Sequence, residues 1–233
     1  MKNQMQDLED LVRAQHSNIA GIVVRKGGQV RYESYFNGCG AESPVHVFSV
    51  TKSIVSILIG IALDQGAIHS VDQRVLDFFP DYQLKRGEKT LPQITLRHLL
   101  TMTAPYKYRS APYTRYFTSG DWVKCALDLL GGKSALGEFR YTPLIGPDIL
   151  SGILAGATGQ PVLDFARQFL FDPLGIRIGG SVTFGSAEEQ FAFLKAREVS
   201  GWVADPKGVN TAGWGLTLTA RDMSCLLYTS RCV

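Results

Sequence analysis

The chain has no long hydrophobic run and little excess of charge of either sign. Its longest apolar stretch, Ile54 to Leu63, is interrupted by Ser56 and Gly60, whereas a membrane span needs about 18 or more apolar residues. Among 233 residues, 24 Lys and Arg face 21 Asp and Glu, so the net charge of +3 indicates no nucleic-acid or membrane surface. The N-terminus is polar and lacks the apolar core of a secretory signal. We therefore expect a cytoplasmic globular protein that binds neither nucleic acid nor membrane.

Motifs for metals, nucleotides and common hydrolases are also missing. The four cysteines, Cys39, Cys125, Cys225 and Cys232, form no C-x-x-C pair, and no His or Cys cluster has the spacing of zinc ligands. No H-E-x-x-H, G-x-S-x-G, G-x-G-x-x-G or P-loop sequence occurs. Their absence argues against metalloprotease, α/β-hydrolase, dinucleotide and nucleotide sites. The sequence therefore predicts no metal and no cofactor.

The first forty residues have the pattern of a helix followed by a β-hairpin. Apolar residues recur at helical spacing within residues 6–15. Residues 19–25 and 29–36 have the character of two strands, and Lys26-Gly27-Gly28 supplies the turn between them. The N-terminal part, residues 1–40, is thus predicted to be a helix and a hairpin.

The next part, residues 45–178, is predicted to be mainly helical. Capping residues, prolines and glycines set the bounds of five helices: 49–65 before Gly66, 95–102 with Thr95 as N-cap, 119–130 with a capping Ser119, 148–158 after Pro147 and 162–170 after Pro161. A glycine-rich return segment, residues 179–224, follows, with strand character at 181–184. This order predicts an α+β protein with a helical insertion.

One S-x-x-K sequence, Ser49-Val50-Thr51-Lys52, begins the most apolar helix. Residues i and i+3 share a helix face, so the Lys52 amine can reach Ser49 Oγ. A serine hydroxyl becomes a good nucleophile when a neighbouring base takes its proton. Desolvation lowers a lysine pKa, and the apolar residues 54–59 supply dry surroundings that let a neutral amine be that base. Backbone N–H groups at this helix N-terminus can also stabilise an oxyanion.

The same four residues have a plainer interpretation. Ser49 would cap the helix, and Lys52 would be an exposed residue of its first turn. The difficulty lies at Lys52, because a helix this apolar is buried on most faces and an unpaired buried ammonium is costly. From these residues alone, both interpretations stay open.

An aromatic and basic segment, residues 106–116, fits no motif. It combines four tyrosines with Lys107, Arg109 and Arg115. Such a segment can line the mouth of a cleft, but we favour a solvated loop whose tyrosines pack inward.

Several motifs follow one another along the chain: Ser49-Val50-Thr51-Lys52, Val71-Asp72-Gln73-Arg74-Val75, Leu96-Arg97-His98-Leu99-Leu100, Tyr141-Thr142-Pro143, Asp172-Pro173-Leu174-Gly175 and Gly213-Trp214-Gly215-Leu216-Thr217. Together they resemble the serine β-lactamase and penicillin-binding-protein superfamily, in particular the group of class C β-lactamases, DD-peptidases and family VIII esterases. The resemblance covers nearly all of the chain before Cys225. It implies the β-lactamase/transpeptidase-like fold, an antiparallel sheet flanked by helices.

The resemblance also implies a role for three residues. Ser49 is the expected acylated nucleophile, and Lys52 is its base or proton relay. Tyr141 aligns with the tyrosine of the Y-x-N motif, whose phenol passes the proton to the leaving group. A phenol beside an ammonium has a lowered pKa and can exchange protons with it, so this arrangement is chemically coherent.

Two departures from the family pattern affect the predicted function. Pro143 stands where β-lactamases have Asn, and proline has no side-chain donor for the substrate amide, so β-lactam turnover becomes less favoured. The later strand with a Lys-Thr-Gly, His-x-Gly or Trp-Gly-Gly motif does not follow Arg221-Asp222. We therefore expect residues 1–224 to be a partial domain with an incomplete sheet, an unpaired hairpin edge and poor stability, inactive as it stands.

The last nine residues, 225–233, have an unusual composition. Cys225 to Val233 matches the translation of a transposon-end sequencing adapter followed by its inverse, and we interpret it as such. The alternative is a natural helix from Thr219 to Tyr228 with a short tail. The nucleotide sequence of this stretch decides between the two.

Taken together, these observations predict a serine hydrolase that acts through an acyl-enzyme. The expected partner is a small molecule or peptide whose ester or amide bond is cleaved. Pro143 and the absence of a signal sequence favour an esterase or amidase over a β-lactamase or DD-peptidase. From a different class, a non-catalytic binding or sensor module of the same fold remains an alternative.

Overall fold

The computed structural model describes residues 2–196 and 199–229 of the chain. Its helices are α1 Lys2–Gln15, α2 Val50–Asp64, α3 Leu96–Leu100, α4 Tyr113–Phe117, α5 Trp122–Leu129, α6 Asp148–Thr158, α7 Val162–Ala166, α8 Ala187–Lys195 and α9 Ala220–Thr229. Its strands are β1 Gly21–Lys26, β2 Gln29–Tyr35, β3 Val45–His46, β4 Ser181–Val182, β5 Trp202–Val203 and β6 Thr217–Leu218. Short 3-10 turns at Val75–Phe78, Leu91–Gln93 and Asp172–Leu174 connect them, and a π-helical turn at Arg167–Phe171 extends α7. The predicted α+β class is confirmed.

Strands β1 and β2 form the predicted antiparallel hairpin. Gly21 pairs with Tyr35 at the open end, and Lys26 pairs with Gln29 beside the turn. Gly27 supplies the positive φ of +59° that this tight turn requires. Within the described residues β1 pairs with β2 alone, and α9 packs across it. The hairpin edge is therefore free of a further strand in this part of the chain.

Helix α2 runs through the centre of the core. Ile54, Val55, Leu58, Ile59 and Ala62 are all at most 2% exposed, because the apolar positions of this helix cover most of its circumference. It packs against α6, which in turn packs against α5. The core thus surrounds α2 and leaves its N-terminus at the edge of the helical region.

Two short antiparallel strands bring distant parts of the chain to that N-terminus. In β3, Val45 pairs with Leu218 and His46 with Thr217 of β6. The pairing continues one residue further, where the Val47 N–H donates to the Leu216 carbonyl at 3.1 Å. The segment just before β6 is thereby held beside the start of α2.

Several predicted boundaries differ from those in the structure. Helix α5 is capped by Asp121, whose carboxylate accepts from the Lys124 N–H at 2.7 Å, and not by the predicted Ser119. The predicted strand at residues 181–184 is only Ser181–Val182, and it pairs in parallel with β5. The described strands therefore form three two-stranded sheets, of which two are antiparallel. Throughout residues 2–196 and 199–229, every helix is too short or too polar to cross a bilayer.

The suspected adapter at 225–233 lies partly in α9 and partly outside the described residues. Helix α9 continues to Thr229, and Leu226 is buried against the core. Residues 230–233, including Cys232, lie outside the described residues. The origin of this segment stays a prediction.

Candidate active site

Ser49 stands on a strained turn between β3 and α2. The preceding residue, Phe48, has a φ of +43°, a region that non-glycine residues rarely adopt. Thr51 stabilises this turn, because its Oγ1 donates to the Phe48 carbonyl at 2.6 Å. Although Ser49 precedes the helix, its side chain makes no capping hydrogen bond. Its Oγ instead faces Lys52 and Tyr141.

Lys52 lies one turn along α2, and its amine makes three close contacts. Nζ lies 3.1 Å from Ser49 Oγ, 2.7 Å from the Pro143 carbonyl oxygen and 2.6 Å from the Gly213 carbonyl oxygen. Burial lowers the pKa of Lys52, and the negative charges of Tyr141 and Asp148 partly oppose that shift. The amine is therefore not in bulk solvent. The plainer interpretation of the sequence, which made Lys52 an exposed residue of the first helical turn, does not fit this environment.

Tyr141 completes a triangle of polar atoms. Its OH is 2.8 Å from Ser49 Oγ, and its ring centre is 5.4 Å from Lys52 Nζ. The hydrogen bond with Ser49 lowers the pKa of Tyr141, and the charge of Lys52 adds to that effect. The phenol is about half exposed, so a ligand can contact it directly.

Among the described residues, the backbone N–H of Ser49 makes no hydrogen bond. The N–H groups of Val50 and Thr51, by contrast, donate to the Val47 and Phe48 carbonyls at 3.0 and 3.1 Å. An unpaired N–H beside a nucleophile can donate to an oxyanion that forms there. The structure thus brings the three predicted site residues together with one backbone donor.

A comparison with known proteins identifies the family of this chain. A family model described as Beta-lactamase matches residues 6–230. The chain belongs to the beta-lactamase family. The resemblance seen in the sequence is therefore confirmed.

Two curated relatives are hydrolases by name. Esterase EstB of Burkholderia gladioli is 29% identical over 158 residues, which cover 62% of this chain and 39% of the esterase. The 6-aminohexanoate-dimer hydrolase of Paenarthrobacter ureafaciens is 21% identical over 236 aligned positions, which cover 96% of this chain and 54% of the relative. The chain thus spans about half the length of these relatives or less.

Solved structures of beta-lactamase relatives share the fold. A class C beta lactamase from Rhodobacter sphaeroides superposes with a TM-score of 0.64 at 20% identity, over 96% of this chain and 63% of the other. An octameric penicillin-binding protein homologue from Pyrococcus abyssi gives a TM-score of 0.68 at 20% identity, over 99% and 57% of the two chains. The predicted β-lactamase-like fold is therefore confirmed.

The sequence did not predict a role for the buried carboxylate that lies behind Ser49, Lys52 and Tyr141. Asp148 is 2% exposed and accepts from the backbone N–H groups of Ala212 and Gly213, at 2.8 and 3.3 Å, and from the Tyr116 hydroxyl. Burial raises the pKa of Asp148 to about 6, against the lowering effect of these hydrogen bonds. Asp148 thereby holds the backbone directly before the Gly213 carbonyl that binds Lys52.

Gly213 is required by the close approach of two backbone segments. A Cβ at this position would lie 2.8 Å from the Pro143 carbonyl oxygen and 3.0 Å from Leu144 Cα. The two carbonyls that bind Lys52 Nζ therefore belong to two backbone segments that contact each other directly. Nothing in the sequence marks a backbone carbonyl as a ligand of an amine, so neither Gly213 nor the Pro143 oxygen was predictable.

The described residues contain no group of three or more His, Cys, Asp or Glu side chains arranged to hold a metal ion.

Proposed function

We propose that this chain carries the catalytic centre of a serine hydrolase that cleaves an ester or amide bond through an acyl-enzyme on Ser49. The observation that carries the proposal is the environment of the Lys52 amine. Two carbonyl oxygens lie within 2.7 Å of Nζ, and the third contact is Ser49 Oγ at 3.1 Å.

A neutral amine has two N–H bonds and one lone pair. The Pro143 and Gly213 carbonyls, which can only accept, take up the two N–H bonds. The lone pair is then left to face Ser49 Oγ, which is the orientation that a general base needs. Burial lowers the pKa of Lys52, which reduces the cost of losing its proton.

Acylation in the proposed reaction has three proton transfers and forms one covalent intermediate. Lys52 takes the hydroxyl proton of Ser49 while Oγ attacks the substrate carbonyl carbon, and the oxyanion accepts from the Ser49 N–H. Tyr141 donates its proton to the leaving oxygen or nitrogen and recovers one from Lys52. Water then takes the place of the leaving group. The same proton transfers in reverse order release the acid product and restore the Ser49 hydroxyl.

The preference for an ordinary ester or amide rests on Pro143. Its carbonyl is used by Lys52, and it has no side-chain amide that could bind the substrate amide beside a β-lactam ring. The relatives named as an esterase and as a 6-aminohexanoate-dimer hydrolase support this preference. Because a class C beta lactamase has the same fold, β-lactam hydrolysis is the alternative proposal for this chain.

The test uses a full-length version of the protein and compares its hydrolysis of a p-nitrophenyl ester with its hydrolysis of a chromogenic cephalosporin. We expect faster hydrolysis of the ester, a loss of about 10²–10⁴-fold in Tyr141→Phe through the missing proton transfer, and no measurable rate in Ser49→Ala. Ser53→Ala is the matched control, because this exposed serine lies one turn along the same helix. Faster cephalosporin hydrolysis would favour a β-lactamase.

Fluorophosphonate labelling separates catalysis from the binding-module alternative. It detects acylation-competent Ser49 in a single chemical event, without requiring turnover. A folded protein that forms no adduct would support a non-catalytic binding or sensor role.

A further inference from the structure

A large cavity lies on the helical region, beside the segment that carries Tyr141. It encloses about 830 Å³ and is lined by the loop before α3, the segment 106–109 and the segment 132–134. Arg140, the residue directly before Tyr141, also lines it. This volume lies within the range of about 300–1,000 Å³ that holds small-molecule ligands in proteins.

The lining of this cavity is strongly basic. It contains seven Lys or Arg side chains and one carboxylate, so its formal charge is +6, whereas the whole chain carries +3. The remainder of the chain therefore carries a net negative charge. Positive charge is concentrated here and is not a property of the surface as a whole.

The one carboxylate, Glu88, is already fully engaged. It pairs with Lys107 at 3.1 Å, and its Oε1 accepts from the backbone N–H groups of Thr90, Leu91 and Gly132 at 3.0 to 3.3 Å. Only 7% of the Glu88 side chain is exposed. It therefore ties the walls of the cavity together and does not neutralise the other cations.

Backbone hydrogen bonds hold these walls in place. The Lys107 N–H donates to the Leu129 carbonyl at 2.8 Å, and the Gly131 N–H donates to the Pro105 carbonyl at 2.9 Å. The Thr90 hydroxyl donates to the Gly132 carbonyl at 2.7 Å. The cavity is thus built from segments fixed to one another rather than from a free loop.

Six basic side chains remain without a carboxylate partner among the described residues: Lys85, Arg86, Lys89, Arg109, Lys133 and Arg140. Arg140 is held in position, because its Nη2 donates to the Arg109 carbonyl at 2.9 Å and its guanidinium lies 5.0 Å from the Tyr108 ring centre. Like charges confined around one cavity repel one another, and a bound anion relieves that repulsion.

We propose that this basic cavity binds a small organic anion with two or more phosphoryl or carboxylate groups. A guanidinium presents a planar fork that matches either group, and lysines add charge at the rim. The site is separate from the Ser49 triangle, although Arg140 connects the two through its neighbour Tyr141. The proposal does not depend on the hydrolase activity.

The experiment measures binding of pyrophosphate and of tricarballylate to the whole chain by titration calorimetry at low ionic strength. The pocket variant is Lys85→Gln with Lys133→Gln. The matched control is Lys26→Gln with Lys195→Gln, which removes the same charge from exposed lysines outside the cavity.

We expect one binding site, weakened at least about tenfold in the pocket variant and less than about twofold in the control. Tighter binding of pyrophosphate would identify a phosphorylated ligand, and tighter binding of tricarballylate a polycarboxylate. No binding of either probe, or an equal loss in both variants, would overturn the proposal, since only general surface charge would then be acting.

Discussion

Replacing Asp148 with asparagine is expected to change how the stability of the protein depends on pH. Burial raises the pKa of Asp148 to about 6 from its ordinary value of 3.8, so the folded state holds this proton more tightly than the unfolded chain does. The free energy of unfolding should therefore fall as pH rises from about 4 to about 6, where the unfolded carboxyl ionises first. Asparagine keeps the acceptor oxygen for Ala212 and Gly213 but carries no titrating charge.

The size of the effect follows from the shift. A difference of about 2 pKa units corresponds to about 3 kcal/mol between the two protonation states. Because the unfolded carboxyl is already more than half ionised at pH 4, the stability of Asp148→Asn relative to wild type should rise by about 2 kcal/mol between pH 4 and pH 7. The altered contact with the Tyr116 hydroxyl adds an offset that does not vary with pH.

Urea unfolding followed by tryptophan fluorescence measures this difference, because Trp122, Trp202 and Trp214 are all buried. Carboxyls with lowered pKa values, such as those of Glu33 and Asp72, lose their contribution as pH falls. They are the same in both proteins and cancel in the comparison. A difference curve that stays flat from pH 4 to 7, or that slopes downward, would refute the reasoning.

The remaining predictions concern packing. Gly213→Ala should push the Pro143 and Gly213 carbonyls apart, because a Cβ at position 213 would meet backbone atoms. We expect this change to slow Ser49 labelling at least about tenfold. The control is Gly60→Ala in α2, where a Cβ would have open space and labelling should stay unchanged. Leu58→Ala should lower the free energy of unfolding in urea by about 2–5 kcal/mol, because this side chain is fully buried. Leu11→Ala, at an exposed site, should change it by less than about 1 kcal/mol, and equal losses would contradict the assigned core.

Much of the local structure could be predicted from the sequence. The turn glycine after β1 and the proline and glycine around α6 set boundaries that depend on neighbouring residues alone. The approach of Lys52 to Ser49 follows from helix geometry, because the two residues are one turn apart. Such features need no knowledge of the tertiary fold.

The rest of the site depends on contacts between distant parts of the chain. Tyr141 was expected to face Ser49 through family resemblance, since nothing local links two residues so far apart. Asp148 and the Gly213 carbonyl were missed because their roles arise only when α6 and the segment before β6 meet. The parallel pairing of β4 with β5 was missed for the same reason, as each strand has only two residues.

The expectation that the chain is unstable and inactive as it stands remains a prediction. Steady-state ester hydrolysis and urea unfolding of the 233-residue chain test it directly. Turnover at a rate typical of enzymes, about 1 s⁻¹ or more, would show the expectation to be wrong.

The central claim is that a half-buried Lys52, in its neutral form, activates Ser49. The most direct measurement is the rate of fluorophosphonate labelling as a function of pH, with the modified peptide identified by mass spectrometry. We predict a single adduct on Ser49, a rate that rises with an apparent pKa below the ordinary lysine value of 10.5, and loss of labelling in a folded Lys52→Met variant. Equal labelling of wild type and Lys52→Met, or no adduct on Ser49 in the folded protein, would contradict the claim.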